Sequence, residues 1–141
     1  MKVLLDTNIL IYLVNPASHY HQTSRTAVET LVDHGDTMCV APQTIAEFWN
    51  IVTRPSPRGL SWTASQTRKA IGEWESAFLL LDEAPDIYPL WRDRCAANNI
   101  TGARVFDVRL AVIAEKYDID KVMTFNATDF ASLTTVVMLT P

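Results

Sequence analysis

Short apolar runs alternate with longer amphipathic segments along this chain. The runs are rich in leucine or β-branched residues and only a few residues long, which is typical of buried strands. The longer segments between them carry apolar residues at helical spacing. This alternation predicts an α/β fold, a three-layer α/β/α sandwich with a mostly parallel central sheet. The predicted strands cover residues 2–5, 37–40, 78–81, 121–124 and 135–139.

Proline, glycine and asparagine mark the ends of the predicted helices. Asn15-Pro16 breaks the first helix, Gly35-Asp36 ends the second, and Pro42 suits the first turn of the third. No repeat, low-complexity tract or linker interrupts the pattern, so we predict a single domain over residues 1–141. The predicted helices cover residues 8–14, 18–34, 42–54, 64–75, 84–98 and 104–117.

The composition is that of an ordinary globular domain. The chain has 141 residues, of which 48% are hydrophobic and 20% charged. No apolar run approaches the roughly 18 residues that a membrane span needs, and the first residues do not resemble a signal peptide. We therefore expect a cytoplasmic protein that does not associate with membranes.

The charge balance limits the kind of nucleic-acid binding that is possible. A net charge of −4 argues against broad, charge-driven coating of DNA or RNA. It does not argue against a nuclease, because a bound metal ion inverts the local field. Six arginines either hold a phosphate backbone or are simply solvated: Arg54, Arg58, Arg92, Arg94, Arg104 and Arg109.

Four acidic residues stand at positions that a parallel α/β fold would bring together. Asp6 ends the first strand, Asp107 interrupts an apolar helix, Glu47 lies inside a helix, and Asp129 follows the fourth strand. Ligand clefts in such sheets lie beyond the carboxyl ends of the strands. Four carboxylates facing one cleft repel each other unless a divalent cation binds them. This pattern predicts a Mg²⁺ or Mn²⁺ site and phosphate chemistry.

Each acid also has a structural interpretation. Asp6 suits the N-cap of the following helix, and Asp129 suits a turn. Glu47 points away from the apolar stripe of its helix and would be solvent-exposed. Asp107 could form an ion pair with Arg104, although small apolar residues on its face of the helix make a functional role the stronger interpretation.

Three polar neighbours are candidates for a supporting role around these acids. The hydroxyl of Thr124 could hold an acid or a metal-bound water. Asn126 could act as a neutral oxygen ligand or a hydrogen-bond donor, and Asn8 follows Asp6 closely.

Aromatic residues on helical stripes predict the core, with Trp49 and Trp74 both expected to be buried.

The acidic segments resemble those of the PIN-domain family, and more closely the VapC-like toxins of bacterial toxin–antitoxin pairs. The resemblance covers nearly the whole chain, and its specificity comes from four segments in the same order and at similar separations. The segments are Val3-Leu4-Leu5-Asp6-Thr7-Asn8-Ile9-Leu10, Gln43-Thr44-Ile45-Ala46-Glu47-Phe48, Phe106-Asp107-Val108-Arg109-Leu110-Ala111 and Thr124-Phe125-Asn126-Ala127-Thr128-Asp129-Phe130.

This resemblance implies a metal-dependent endoribonuclease whose partners are an RNA substrate and a cognate antitoxin protein. It implies Asp6, Glu47 and Asp107 as carboxylates that bind Mg²⁺ or Mn²⁺. The family often has an acid where this chain has Asn126, so Asp129 is the preferred fourth ligand and Asn126 the alternative. Homodimers are common in the family and are expected here.

Two other classes of function compete with a nuclease. An aspartyl-phosphate phosphatase would use Asp6 as a nucleophile, but such enzymes usually carry a second aspartate where this chain has Asn8. A non-catalytic module is the other alternative, either receiver-like or a degenerate PIN domain kept for binding. A receiver would need paired acids after the first strand and a lysine after the last, and the chain has neither.

Overall fold

A five-stranded parallel sheet forms the centre of the protein, for which a computed structural model describes residues 1–141. All four strand pairings are parallel, and the strand order is β3-β2-β1-β4-β5. The elements are, in chain order, β1 (Lys2–Leu5), α1 (Thr7–Val14), α2 (His21–Asp33), β2 (Thr37–Val40), α3 (Pro42–Val52), α4 (Ala64–Ala77), β3 (Leu79–Leu80), α5 (Ile87–Ala97), α6 (Arg104–Lys116), β4 (Lys121–Met123), α7 (Ala127–Phe130) and β5 (Val137–Leu139).

Helices cover both faces of the sheet, as the sequence predicts. Successive strand residues point to opposite faces, so Val3 and Leu5 of β1 pack into one hydrophobic cluster and Leu4 into another. The first cluster includes residues of α1, α2, α3 and α4, and the second includes residues of α5, α6 and α7. The three-layer α/β/α sandwich is therefore confirmed, with a separate core on each side of the sheet.

The central position of β1 determines where a cleft can form. From β1 the chain builds β2 and β3 on one side and then crosses to build β4 and β5 on the other. Leu4 is in register with Cys39 of β2 and with Val122 of β4. The strand order thus reverses between β1 and β4, and the crevice outside their carboxyl ends is the usual ligand position in such folds.

The predicted strands and helices all form, with shifts at their ends. The second helix begins at His21 rather than at residue 18, because the Ser18 hydroxyl accepts a hydrogen bond from the Tyr20 N–H and closes a turn there. The third strand shrinks to the edge pair Leu79–Leu80. Helix α7 was not predicted, since a single helical turn is too short to show a hydrophobic period.

The prediction for the two helical tryptophans is half right. Trp74 is buried and packs against Phe48, with ring centroids 4.6 Å apart. The prediction that Trp49 belongs to the core is wrong, since its side chain is 37% exposed. Thr44, Phe48 and Val52 form the buried side of α3 instead, so the stripe that faces the sheet is narrower than the sequence suggests.

None of the helices has both the length and the apolar character needed to cross a bilayer.

Candidate active site

Asp6 lies at the carboxyl end of β1 and caps α1. Its Oδ1 accepts the Thr7 N–H at 2.7 Å, which confirms the predicted capping role. Its Oδ2 accepts the Thr124 hydroxyl at 2.6 Å and the Asn8 side-chain amide at 3.2 Å. Burial raises the pKa of Asp6, the hydrogen bonds from Thr124 and Thr7 oppose the rise, and the charges of Glu47 and Asp129 add to it. Capping uses Oδ1, so Oδ2 remains directed at the ends of β1 and β4.

Thr124 joins the ends of β1 and β4. Its buried hydroxyl donates to Asp6 and accepts hydrogen bonds from the Asn8 side chain at 3.3 Å and from the Asn126 N–H at 3.0 Å. The hydroxyl has one proton and two lone pairs, so all of its hydrogen-bonding capacity is used. Thr124 and Asn8 therefore hold Asp6 in one orientation, while Asn126 contributes through its backbone.

Glu47 is held through both carboxylate oxygens. Its Oε2 accepts the Thr7 hydroxyl at 3.1 Å, and its Oε1 accepts the Gln43 side-chain amide at 2.9 Å. The residue is only partly exposed, so it does not extend freely into solvent. Thr7 thereby connects the two acids, because its backbone binds Asp6 and its side chain binds Glu47.

Asp107 lies in the first turn of α6 without a cationic partner. None of the seven salt bridges includes it, and the predicted alternative of a pair with Arg104 does not form. Arg104 instead donates to the Ser132 hydroxyl at 3.4 Å. Burial first, and then the charges of Asp6, Asp129 and Glu47, raise the pKa of Asp107 to about 6, against a smaller opposing effect of Arg104.

The fourth acid stands on the short helix that follows β4. Asp129 is exposed in the first turn of α7, and its charge raises the pKa of both Asp6 and Asp107. The exposed Asn126 precedes that helix, and its side chain makes no capping hydrogen bond. Asp6 and Asp107 are thus each close enough to other predicted acids to be influenced by their charges, and Asn126 adds no charge.

The donor set suits a hard divalent cation. Carboxylate oxygens are the ligands that Mg²⁺ and Mn²⁺ prefer, and mutual repulsion among these acids is what such an ion would relieve. No three of these side chains already lie in an arrangement that could hold a metal ion. Binding therefore requires side-chain rotation. Asp107 and Asp129, which make no ion pair, are better placed to rotate than Asp6, which the Thr124 and Asn8 side chains hold.

Three of the six arginines that the sequence suggests as phosphate contacts are already paired with acids. Arg94 binds Glu115 at 2.7 Å, Arg92 binds Asp93 at 2.8 Å, and Arg109 binds Glu83. The remaining three make no salt bridge, and the charge of Arg104 acts on Asp107. Among these three unpaired arginines, Arg104 is therefore the one whose charge acts on an acid of the candidate site. Arg54 and Arg58 belong to a loop of residues 54–58 that lines a separate pocket.

Acidic conditions are expected to stabilise the metal-free protein. A raised pKa means that the folded state takes up a proton more readily than the unfolded chain, so protonation of Asp107 favours folding. The free energy of unfolding in EDTA should therefore rise as the pH falls through about 6 towards the ordinary value of 3.8. Asp6 acts in the same direction. Solvent screening at the partly exposed Asp107 keeps the gain modest.

Urea denaturation between pH 7 and pH 5 measures this effect. The Asp107→Asn variant should show a shallower dependence on pH, because asparagine does not titrate. Equal slopes for the wild type and the variant would contradict the assignment of this pH dependence to Asp107.

Fold and site together define a class of protein. It is a parallel α/β sandwich with a group of acidic residues near the point where the strand order reverses. A family model for the PIN domain matches residues 3–134. The chain belongs to the PIN-domain family. This confirms the resemblance that the four acidic segments show.

Solved structures of VapC-type proteins share the fold over almost their full length. VapBC2 from Rickettsia felis, solved bound to a DNA fragment from its promoter, is 17% identical with a TM-score of 0.73, covering 100% of this chain and 99% of that one. VapC20 of Mycobacterium tuberculosis, described as a sarcin-ricin loop cleaving toxin, is 12% identical with a TM-score of 0.70 and coverages of 96% and 98%. VapBC-1 from nontypeable Haemophilus influenzae is 19% identical with a TM-score of 0.71 and coverages of 99% and 98%.

At these identities the likeness establishes a VapC-like fold. A comparison with curated protein sequences gave no match.

Two residues that support the acids were not predicted from sequence. Gln43 and Thr7 both bind Glu47. Gln43 stands four residues before Glu47 on α3, and that spacing places two side chains on one helix face, so the pair was open to prediction. Thr7 could not be found this way, since its contact with Glu47 depends on how α1 packs against α3.

Proposed function

We propose that this protein is a divalent-metal-dependent endoribonuclease that hydrolyses RNA phosphodiesters and acts as the toxin of a toxin–antitoxin pair. One observation carries the proposal. The charges of neighbouring carboxylates raise the pKa values of Asp6 and Asp107 near the carboxyl ends of the central strands, and none of the four acids is paired with a lysine or arginine. Such a cluster is costly for a protein to keep and is typical of a site whose cation is part of the function.

Asp6, Asp107 and Asp129 would hold Mg²⁺ or Mn²⁺, and Glu47 would bind the ion or orient the attacking water. A bound ion supplies charge neutralisation at the phosphate and lowers the pKa of water. Asp6 is kept in place by Thr124 and Asn8.

Hydrogen bonds from Thr7 and Gln43 keep both Glu47 oxygens in place and leave their remaining lone pairs to accept a proton from water. No histidine is needed as a base in this arrangement.

The proposed partners follow from the family and from the similar structures. RNA as substrate is supported by the likeness to a toxin described as cleaving the sarcin-ricin loop. Two of the similar structures are VapBC proteins, which supports a protein antitoxin as the partner. An arginine of such a partner would suit the unneutralised acids, because a guanidinium binds carboxylates through paired hydrogen bonds. We also propose a homodimer, on the grounds of the family alone.

Metal removal tests the proposal directly. Purified protein should cleave single-stranded RNA in Mg²⁺ or Mn²⁺, lose that activity in EDTA, and regain it when excess metal is restored. The ion should also raise the melting temperature, since a ligand present at 100 times its dissociation constant stabilises the folded state by about 2.7 kcal/mol. Cleavage that persists in EDTA would contradict the proposal.

The competing functions predict different results. An aspartyl-phosphate phosphatase needs a general acid near Asp6, but the residue at that place is Asn8, whose amide is bound to Asp6 and Thr124. A stable beryllofluoride adduct on Asp6 would favour the phosphatase. A degenerate, non-catalytic PIN domain would show no heat of Mn²⁺ binding in calorimetry and no change on Asp107→Ala.

A further inference from the structure

A line of hydrogen bonds connects Glu47 to residues on two other elements. The side-chain nitrogen of Gln43 donates to Glu47 Oε1 and to the Phe106 carbonyl, both at 2.9 Å. Arg109 Nη1 donates to Gln43 Oε1 at 3.1 Å, and its Nη2 forms a salt bridge with Glu83. We call the arrangement Glu83–Arg109–Gln43–Glu47 the Gln43 bridge. It joins α3, α6 and the segment after β3.

Chemistry allows only one orientation of the Gln43 amide. Arg109 has only donors, so it must face the amide oxygen. Glu47 and the Phe106 carbonyl present only acceptors, so they must face the amide nitrogen. A flipped amide would place its oxygen against two other oxygens and its nitrogen against a guanidinium. All three partners therefore require the same orientation, in which Arg109 anchors the amide oxygen and the amide nitrogen meets Glu47.

The other side of Glu47 is held independently. Thr7 donates to Oε2, while Gln43 donates to Oε1, so the two contacts together define the plane of the carboxylate. Losing either one would leave Glu47 free to rotate about its last torsion, which is intrinsically broad. The Gln43 bridge also lines a cavity of about 390 Å³ beside Glu47, to which Glu83, Phe106 and Arg109 contribute. A reacting group at Glu47 would be next to this cavity.

We propose that Gln43 is a positioning residue for Glu47 and that Arg109 acts through it, by anchoring the amide oxygen. The inference rests on the proposed function, in which Glu47 serves the metal site. The role assigned to Arg109 is an indirect one, because its two outer nitrogens contact Gln43 and Glu83 rather than Glu47 itself. Partners that orient metal ligands from behind typically affect metal affinity or activity by about 10–100-fold when removed.

The test compares Gln43→Met, Arg109→Met and the double variant with a matched pair on α2. Methionine is similar to glutamine in length and retains an apolar stem like that of arginine, but it offers no strong donor. Gln22→Met and Arg25→Met are the controls, because both residues are exposed and their contacts stay within α2. Mn²⁺ affinity is measured by calorimetry, kcat and KM by RNA cleavage, and folding by the melting temperature in EDTA.

Each single variant should weaken Mn²⁺ binding or lower kcat by about 10-fold or more, with little change in KM. The double variant should lose no more than the worse single variant, because both substitutions remove the same contact to Glu47. The controls should behave as the wild type. Single variants within twofold of the wild type, or losses that multiply in the double variant, would overturn the proposal.

Crystal structures of the metal-free variants separate this inference from the proposed function. In Arg109→Met the Gln43 amide loses the anchor on its oxygen and should shift from its wild-type position against Glu47, and the Glu47 carboxylate should rotate from its wild-type plane. An unchanged Glu47 in both single variants would overturn the role of the Gln43 bridge whatever the activity. Wild-type protein that binds no Mn²⁺ would instead refute the metal site itself, leaving the orientation of Glu47 to be judged from these structures.

Discussion

Replacing Asp107 by asparagine is expected to lower the rate of RNA cleavage by at least about 100-fold while leaving the fold intact. Asparagine has nearly the same shape but only one oxygen acceptor and no charge, so it binds a divalent cation poorly. Asp107 also lies where a charge is unfavourable, since burial and the neighbouring acids raise its pKa to about 6. The folded protein therefore favours the neutral form of Asp107 more than the unfolded chain does.

The same substitution should preserve or raise stability in EDTA. Removing the charge relieves repulsion from Asp6, Glu47 and Asp129, each of which disfavours the ionised form of Asp107. Opposite effects on activity and stability are typical of functional groups held in strained surroundings. A purely structural carboxylate would behave differently, because its loss would cost stability.

Initial rates on single-stranded RNA and thermal melts in EDTA measure both effects. Asp33→Asn is the matched control, since Asp33 is an exposed aspartate at the end of α2 that forms no salt bridge. The control should retain wild-type activity and stability. Cleavage by Asp107→Asn within tenfold of the wild-type rate would contradict a metal-binding role for Asp107.

Truncation of Phe48 is expected to lower the free energy of unfolding more than any other substitution proposed for this protein. Its fully buried ring meets Trp74 with centroids 4.6 Å apart and Trp62 with centroids 6.1 Å apart, both in edge-to-face arrangements. Phe48→Ala should cost about 3–5 kcal/mol, because the cavity it leaves is lined by rigid aromatic rings. The melting temperature should fall by about 10 °C or more.

Trp49→Ala is the matched comparison on the same helix. Trp49 is the neighbouring aromatic residue, but more than a third of its side chain faces solvent. Its truncation should cost at least about 2 kcal/mol less than that of Phe48. Chemical denaturation of the two variants measures the difference. Equal losses would mean that Trp49 contributes to the core as much as its hydrophobicity suggests.

The alternation of strands and helices was predictable because it depends on local patterns. β1 and β2 have the predicted bounds, since each is a short apolar run between strong turn signals. The edge strand β3 was overestimated, because an edge position gives hydrogen bonds to one neighbour only and ends pairing early. Trp49 was misplaced for a related reason, since hydrophobicity alone does not tell how wide a face of α3 the sheet can cover.

The acids of the candidate site were predictable from the free energy that burial of a carboxylate costs. A carboxylate at the end of a buried strand or in an apolar helix needs a reason to be there. The supporting hydrogen bonds were less accessible. Gln43 shares a helix face with Glu47, but its contact with Arg109 joins residues 66 positions apart. No local pattern carries that information.

The amino-acid sequence by itself therefore determined the parallel α/β architecture and the four acidic residues, because hydrophobic period and misplaced charge are properties of short segments. Only the tertiary structure decided that Arg104 leaves Asp107 unpaired and that Arg109 orients Gln43 against Glu47. These outcomes depend on the angle and distance at which α3, α6 and the strand ends pack, and packing of whole elements against each other is set by contacts far apart in the chain.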